Sequence, residues 1–397
     1  MTAKPRIFIH MHYLELGGAE MALIGLLNAI DTDKYDVDLF LNQHTGVYMD
    51  FIPKGINLLP EISEYAAIEQ PLSASIKRGR LKCIWNKLRC HRAMRKYLCE
   101  HPGYGAVASH IYMNTVIKSL PSLNYLGEYD LAISFLDPPH VVQDKVLAKK
   151  KIEWIHTDFS AVKYDGHLTE ARWQANDYII SISDSVSESF SKIFPQLQSK
   201  LYVIENIISP EFVRQRAKLY NVEIRDKNKF IFCSIGRLTA EQKNFIAIPK
   251  ITKILKAKGL RFKWLIIGPG DDSELRRLIS ENDVADVVEL TGPQDNPYPY
   301  IANCDIYVQP SLFEGKSIAV REAQILCKPV IITNYPTSAS QIINGVDGII
   351  CEMDNESIVN CIYELISNKK RMRELSHYLS THDYGLKNEV EKLYELI

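Results

Sequence analysis

Glu314-Gly315-Lys316-Ser317-Ile318-Ala319-Val320-Arg321-Glu322 follows one apolar run, Asp305-Ile306-Tyr307-Val308-Gln309-Pro310, and precedes another, Val330-Ile331-Ile332-Thr333. Strand, glycine loop, short helix, strand is the repeating unit of a parallel sheet covered by helices. A helix that opens directly after such a loop presents unpaired backbone N–H groups, a good place for a phosphate. Ser317 has the chemistry of an N-cap for that helix. Glu314 then falls in the loop and Glu322 inside the helix. The two carboxylates can reach different parts of one long, hydroxyl-rich ligand. Two surface glutamates on a solvated helix would fit the same stretch, so the surrounding chain has to decide.

Working outward, the same alternation extends in both directions. Upstream, Lys229–Ile235 reads as a strand ending in Gly236-Arg237-Leu238, with Lys243 a few residues on and a helix expected from about Asn244 to Lys258. Two fixed cations at a strand-to-helix junction suit a diphosphate, although either alone is ordinary on a surface. Phe262–Ile267, Val287–Leu290 and Asp347–Cys351 read as further strands, and Thr291-Gly292-Pro293 closes the second of them. A polar stretch around Pro210 and Tyr220–Asn228 separates this series from an earlier one.

The earlier series starts at Arg6–His12. Glu15-Leu16-Gly17-Gly18-Ala19-Glu20 then opens a helix, and Tyr35–Leu41 follows as a strand. Gly17-Gly18 allows a phosphate close to the backbone but does not fit the dinucleotide pattern GxGxxG. Regularity fades between Asn42 and Tyr129. It resumes with strands at Asp130–Phe135, Lys151–Ile155, Asp177–Ile182 and Lys200–Glu205. Ligands of such sheets bind beyond the carboxyl ends of the strands. His10, His12, His156, Asp158 and Asn206 all fall there, and His156 follows a central strand directly.

Composition sets the frame. A chain of 397 residues with 46% hydrophobic and 24% charged residues is expected to form two globular domains. A net charge of −1 selects no polyanionic partner, and nucleic acid is not expected. The eight cysteines show no paired CxxC spacing and read as reduced core residues, without a metal site. No signal peptide is read before the first strand, and no apolar run approaches a membrane span. A cytoplasmic location is expected. One stretch departs from this neutrality. Lys77–Lys96 holds nine cations and no acid, with Leu81, Ile84, Trp85, Leu88 and Met94 at helical spacing. A basic amphipathic helix carrying a Trp can lie on an anionic membrane surface, and it can equally be a solvated helix packed on the core.

In order and spacing, these motifs resemble the GT-B glycosyltransferases, and specifically the retaining family 4 group. The resemblance spans nearly the whole chain and is densest from Trp154 to Cys351. It implies two doubly wound Rossmann-like α/β domains facing a cleft: an acceptor-side domain over 1–207, a nucleotide-sugar domain over 208–380, and a helix over 381–397 returning to the first. It implies that Arg237 and Lys243 hold the donor diphosphate, with Gly236 beside them. Glu322 would take the ribose hydroxyls and Glu314 those of the transferred sugar. Backbone groups of Gly315, Lys316, Ser317 and Ile318 would reach phosphate and sugar, with Gly292 against the base. Gly17 and Gly18 would close over the diphosphate, and His156 would sit near the reacting carbon. The donor would be a UDP- or GDP-linked hexose-type sugar, used without metal or cofactor, and the acceptor a glycan or lipid-linked glycan. The enzyme would be cytoplasmic or peripheral on the inner face of the membrane. Many members carry a second glycine where this chain has Ser317, which touches the sugar contacts first. A related nucleotide-sugar enzyme such as an epimerase, or a catalytically silent binding partner, would share the fold. The absence of GxGxxG disfavours a dehydrogenase.

Overall fold

A computed structural model describes the chain except residues 1–3, 16, 72, 74–80, 158, 160–162, 223–227 and 239. The chain divides into two compact units, Met1–Ile207 with Lys387–Ile397, and Ile208–Leu386.

The first unit is built on a seven-stranded parallel sheet in the order β3-β2-β1-β4-β5-β6-β7. Its strands are β1 Arg6–Met11, β2 Asp36–Leu41, β3 Asn57–Leu58, β4 Tyr129–Ser134, β5 Ala148–Ile155, β6 Tyr178–Ser181 and β7 Leu201–Val203. Near-continuous apolar runs such as Ile7-Phe8-Ile9 are buried on both faces because helices cover both. Phe8, Phe40, Tyr65, Tyr129, Ala132 and Val141 form one core on one face. The chain moves outward from β1 to β2 and β3, then crosses to β4 on the other side of β1. The order therefore reverses between β1 and β4, and an open α/β sheet leaves a crevice there at the carboxyl ends of the strands.

Among the described residues, the irregular-looking stretch after Asn42 holds the α-helices Ser63–Glu69, Leu81–Glu100 and Gly105–Val116. Residues 77–80 of the basic stretch lie outside the described residues, as does Asp158. The helix that follows, Leu81–Glu100, packs on Gly105–Val116 and buries Cys90 and Tyr97.

The second unit repeats the plan with six parallel strands in the order β10-β9-β8-β11-β12-β13. These are β8 Phe230–Ile235, β9 Phe262–Ile267, β10 Val288–Gly292, β11 Ile306–Gln309, β12 Val330–Thr333 and β13 Ile349–Cys351. Phe232, Trp264, Ile266, Ile306, Ile331, Ile358 and Ile362 fill its core. The buried Trp264 indole donates to Ser234 Oγ at 2.9 Å, and Ser234 Oγ donates to the Val308 carbonyl at 2.6 Å, so these polar atoms in the core are paired. The strand order reverses here between β8 and β11.

Three local expectations are corrected. No single helix runs from Asn244 to Lys258. A short helix Ala240–Lys243, a 3-10 turn Phe245–Ala247 and a helix Ile248–Ala257 stand there instead. Asn244 has φ 53, a left-handed conformation that asparagine tolerates and that interrupts the helix. The stretch between the two series contains a helix, Pro210–Arg216, whose N-cap Ser209 accepts from the Phe212 N–H. The C-terminal return begins at Lys387 rather than 381, and only Val390–Tyr394 is α-helical. It is tied to the first unit by Tyr394, which stacks on Tyr35 at 4.4 Å and accepts the Asp31 N–H at 2.8 Å. Glu389 Oε2 accepts the Glu205 N–H at 2.9 Å.

Candidate functional site

In the second unit the conspicuous residues gather at the reversal between β8 and β11. β8 ends at Ile235 and delivers Gly236 and Arg237 to its carboxyl end, with Arg237 exposed. Lys243, the last residue of the short helix, runs its stem back over Gly236. A Cβ on Gly236 would lie 2.9 Å from Lys243 Cε, so glycine leaves the room that this stem fills. β11 ends at Gln309 and delivers Glu314 through the loop that follows.

Lys243 Nζ and Glu314 Oε1 form an ion pair at 2.6 Å, with both side chains mostly buried. Ser311 Oγ donates to the same carboxylate oxygen at 2.7 Å, and Gln242 Nε2 donates to the other at 3.3 Å. Thr337 Oγ1 donates to the Glu314 carbonyl at 2.8 Å and fixes the loop backbone. In this state the cation and the carboxylate neutralise each other. Local patterns pick out both residues but carry no sign of this pairing, because the partners lie far apart along the chain.

The loop Gly315-Lys316-Ser317 leads into a helix over Ile318–Ile325. Ser317 occupies the N-cap position, but its side chain makes no capping bond, contrary to the sequence expectation. Its backbone is held by Gln341 instead: the Ser317 N–H donates to Oε1 at 3.0 Å, and Gln341 Nε2 donates to the Ser317 carbonyl at 2.6 Å. Tyr335 OH also donates to Gln341 Oε1, at 3.1 Å. One of the loop N–H groups available to an anion is thus engaged by the protein, and Gln341 stands in for the cap.

Glu322 lies one turn inside the helix and is buried. Tyr298 OH donates to Oε1 at 2.7 Å. Burial pushes the Glu322 carboxyl up to about 7, and the Tyr298 hydrogen bond opposes that shift. Gly292 closes β10 with φ 70, a conformation that favours glycine, and the space where its side chain would stand is open.

In the first unit, Gly17 is the N-cap of the helix Gly18–Ala29. A Cβ on Gly17 would lie 2.0 Å from Glu20 Oε2, so the Glu20 carboxylate folds back onto the glycine loop, where the helix dipole favours negative charge. His156 follows β5. Its Nε2–H donates to the Phe135 carbonyl at 3.0 Å, and Nδ1 is buried without a partner among the described residues. Burial lowers its pKa to about 4, so near neutrality the ring is uncharged and offers Nδ1 as an acceptor. Among the described residues no group of three or more His, Cys, Asp or Glu side chains is arranged to hold a metal ion, and no helix is long and apolar enough to cross a membrane.

Residues 215–381 match the family model described as glycosyl transferases group 1. A curated relative from Campylobacter jejuni is N-acetylgalactosamine-N,N'-diacetylbacillosaminyl-diphospho-undecaprenol 4-alpha-N-acetylgalactosaminyltransferase. It is 31% identical over 183 residues, 46% of this chain and 48% of the relative. The Staphylococcus aureus capsular polysaccharide biosynthesis glycosyltransferase CapM is 26% identical over 211 residues, 50% of this chain and 54% of the relative. The chain thus spans about half the length of the curated relatives it matches. The crystal structure of Anabaena HepE in complex with UDP-glucose superposes with a TM-score of 0.67 at 14% identity, over 98% of both chains. The fold is that of the GT-B glycosyltransferases, and over residues 215–381 the chain is similar in sequence to the glycosyl transferases group 1 family.

Proposed function

We propose that the chain transfers a hexose-type sugar from a nucleotide-diphosphate donor, UDP- or GDP-linked, to a glycan or lipid-linked acceptor in polysaccharide or glycolipid synthesis. The observation that carries this reading is the grouping of Arg237, Lys243, Glu314 and Glu322 at the reversal of the second sheet. Two cations suit a diphosphate, and two carboxylates suit the hydroxyls of a sugar and a ribose. The family match over the same residues supports it. The Campylobacter relative's name includes diphospho-undecaprenol, which supports a lipid-linked acceptor here.

In this reading the donor diphosphate draws Lys243 Nζ off Glu314, and Glu314 turns to the sugar hydroxyls that replace it. The bond between the anomeric carbon and the diphosphate oxygen breaks. Negative charge develops on the leaving oxygen, and Arg237, Lys243 and the N-terminus of the helix Ile318–Ile325 stabilise it. Fixed cations of this kind carry that charge without a divalent ion. The acceptor oxygen attacks from the face the diphosphate leaves, the leaving phosphate takes the acceptor's proton, and the configuration is retained. Glu322 holds the ribose, and Gly292 lines the base.

The helix Leu81–Glu100 supplies the membrane contact. It presents Trp85, 64% exposed, and Leu88, 48% exposed, beside exposed Arg89, Arg92, Arg95 and Lys96. Apolar anchors set among cations suit the surface of an anionic bilayer. The decisive experiment is calorimetric titration with UDP, GDP, UDP-glucose and GDP-mannose, followed by transfer assays on the donor that binds. Saturable binding of one nucleotide series is expected. A chain that binds none of them is not this enzyme. Flotation with phosphatidylglycerol vesicles should fall with salt and with Trp85→Ala, and salt-independent or absent flotation removes the membrane contact.

A further inference from the structure

The first unit has its own reversal crevice, between β1 and β4, and its polar groups are unlike those of the second. β1 delivers His10 and His12, β2 is followed by Asn42, the helix Ser63–Glu69 ends at Glu69, and Asp137 follows β4. These side chains form a directed relay. Asn42 Nδ2 donates to Glu69 Oε1 at 2.8 Å, which leaves Asn42 Oδ1 to accept from His10 Nε2 at 3.0 Å. His12 Nδ1 donates to the same Glu69 oxygen at 2.8 Å. The relay therefore fixes the His12 ring with Nδ1–H toward the carboxylate. Three valences remain open in the relay among the described residues, and one of them is the buried His10 Nδ1. His12 Nε2 is shielded from bulk solvent yet has no partner there, and Glu69 Oε2 accepts no hydrogen bond.

The surrounding charge is acidic. Burial alone would lower the His12 pKa, but the Glu69 hydrogen bond and charge, with Asp137 and Glu20 further off, raise it above its ordinary value. His10 is held down to about 3 by its burial and by the neighbouring His12, so it adds no cation. Asp137 pairs with His110 at 2.8 Å. Among the described residues no Lys or Arg pairs with Glu69 or Asp137. A crevice with several carboxylates and one imidazole disfavours phosphate and suits neutral hydroxyls, each of which can donate to a Glu69 oxygen or to Nε2 of the neutral His12 ring, and can accept from Nε2–H when that ring is protonated.

We propose that the His12–Glu69 pair, with Asp137 beside it, is a binding subsite for a hydroxyl group of an uncharged saccharide, the acceptor sugar itself. This rests on the transferase reading above. His12 and Glu69 hold the hydroxyl; Asn42 and His10 are positioning residues that act through Glu69.

The test uses the full chain with isotope-labelled histidine and the methyl glycosides of glucose, galactose, N-acetylglucosamine and N-acetylgalactosamine. Inorganic phosphate is the anionic comparator. At least one glycoside should shift the His12 ring signals, identified by their absence in His12→Ala, and phosphate should leave them in place. Glu69→Gln should weaken glycoside binding by about tenfold. UDP affinity should stay at the wild-type value in both variants, because Arg237, Lys243 and Glu322 lie in the other unit. The proposal fails if no glycoside moves the His12 signals, if phosphate moves them, or if both variants bind glycosides as the wild type does. If His12→Ala does not fold, His12→Gln supplies the assignment, and the wild-type shifts then decide the matter. Intact binding of UDP or GDP beside a silent His12 overturns this subsite alone, whereas a wild-type chain that binds neither UDP nor GDP overturns the transferase reading.

Discussion

The two units share one plan and differ in what they bring to it. Each has a parallel sheet whose order reverses once, and each delivers polar residues to the carboxyl ends of the strands at that reversal. At β1 and β4 these are histidines and carboxylates joined in a hydrogen-bonded relay, with no lysine or arginine in it among the described residues. At β8 and β11 they are Arg237, Lys243, Glu314 and Glu322, with a helix N-terminus behind them. The backbone geometry permits a ligand at both places, and only the side chains say which. Fold-level likeness therefore locates two sites and assigns neither; the assignment rests on charge.

The largest expected effect separates the two crevices. In the proposed transfer Lys243→Ala would remove a cation from the developing leaving-group charge, and activity should fall by about a hundredfold to a thousandfold. It also leaves Glu314 buried with Ser311 and Gln242 as its side-chain partners among the described residues, which should cost about 3 kcal/mol of stability. Pairing Lys243→Met with Glu314→Gln should restore the melting temperature but not the activity, which divides the catalytic loss from the structural one. Turnover in Lys243→Ala close to wild type would remove the contrast between the crevices.

The second effect is smaller and depends on pH. In the proposed donor site Glu322 would have to be ionised to accept two ribose hydroxyls, and burial pushes its pKa up to about 7. Nucleotide affinity in the wild type should therefore fall as pH drops below about 7. Glu322→Gln should bind about tenfold more weakly at pH 8 and show no such slope. The stability sign runs the opposite way. A carboxyl whose folded pKa is raised favours the folded state most below its unfolded pKa, and that advantage disappears as pH rises from about 4.5 to about 7. Glu322→Gln should accordingly melt higher than the wild type at pH 8. Lower melting, or a retained slope in affinity, would show that Glu322 is not the titrating group.

The second crevice was more legible in the sequence than the first, for physical reasons. Gly236, Arg237 and Lys243 follow an apolar strand in one local pattern, and Glu314 and Glu322 are paired by their spacing across one loop and helix. Tyr298 and Gln341 belong to no such pattern. Each meets its carboxylate or loop only through the fold, at a separation of 24 residues that no spacing rule covers. In the first unit, His10 and His12 were visible at a strand end, but Glu69 lies in the stretch where periodicity fades. The relay needs β2 beside β1 and the helix Ser63–Glu69 brought to both, which is tertiary information. Asn244 shows the same limit on a smaller scale. The apolar spacing through it is helical, and a single left-handed residue breaks the helix nonetheless.

The smallest expected effect tests whether the second crevice is tuned as well as built. Tyr298 OH donates to Glu322 Oε1 and so favours the ionised form, against the burial that raises its pKa. Tyr298→Phe keeps the ring and removes only that donor. The midpoint of the pH dependence should move upward, and nucleotide affinity at pH 7 should fall by about threefold, within the range of a single hydrogen bond to a charged group. At a pH well above the new midpoint the variant and the wild type should converge, because Glu322 is then ionised in both. A loss of affinity that persisted there would mean that Tyr298 touches the nucleotide itself, and the division of labour proposed between the buried tyrosine and the Glu322 carboxylate would have to be redrawn.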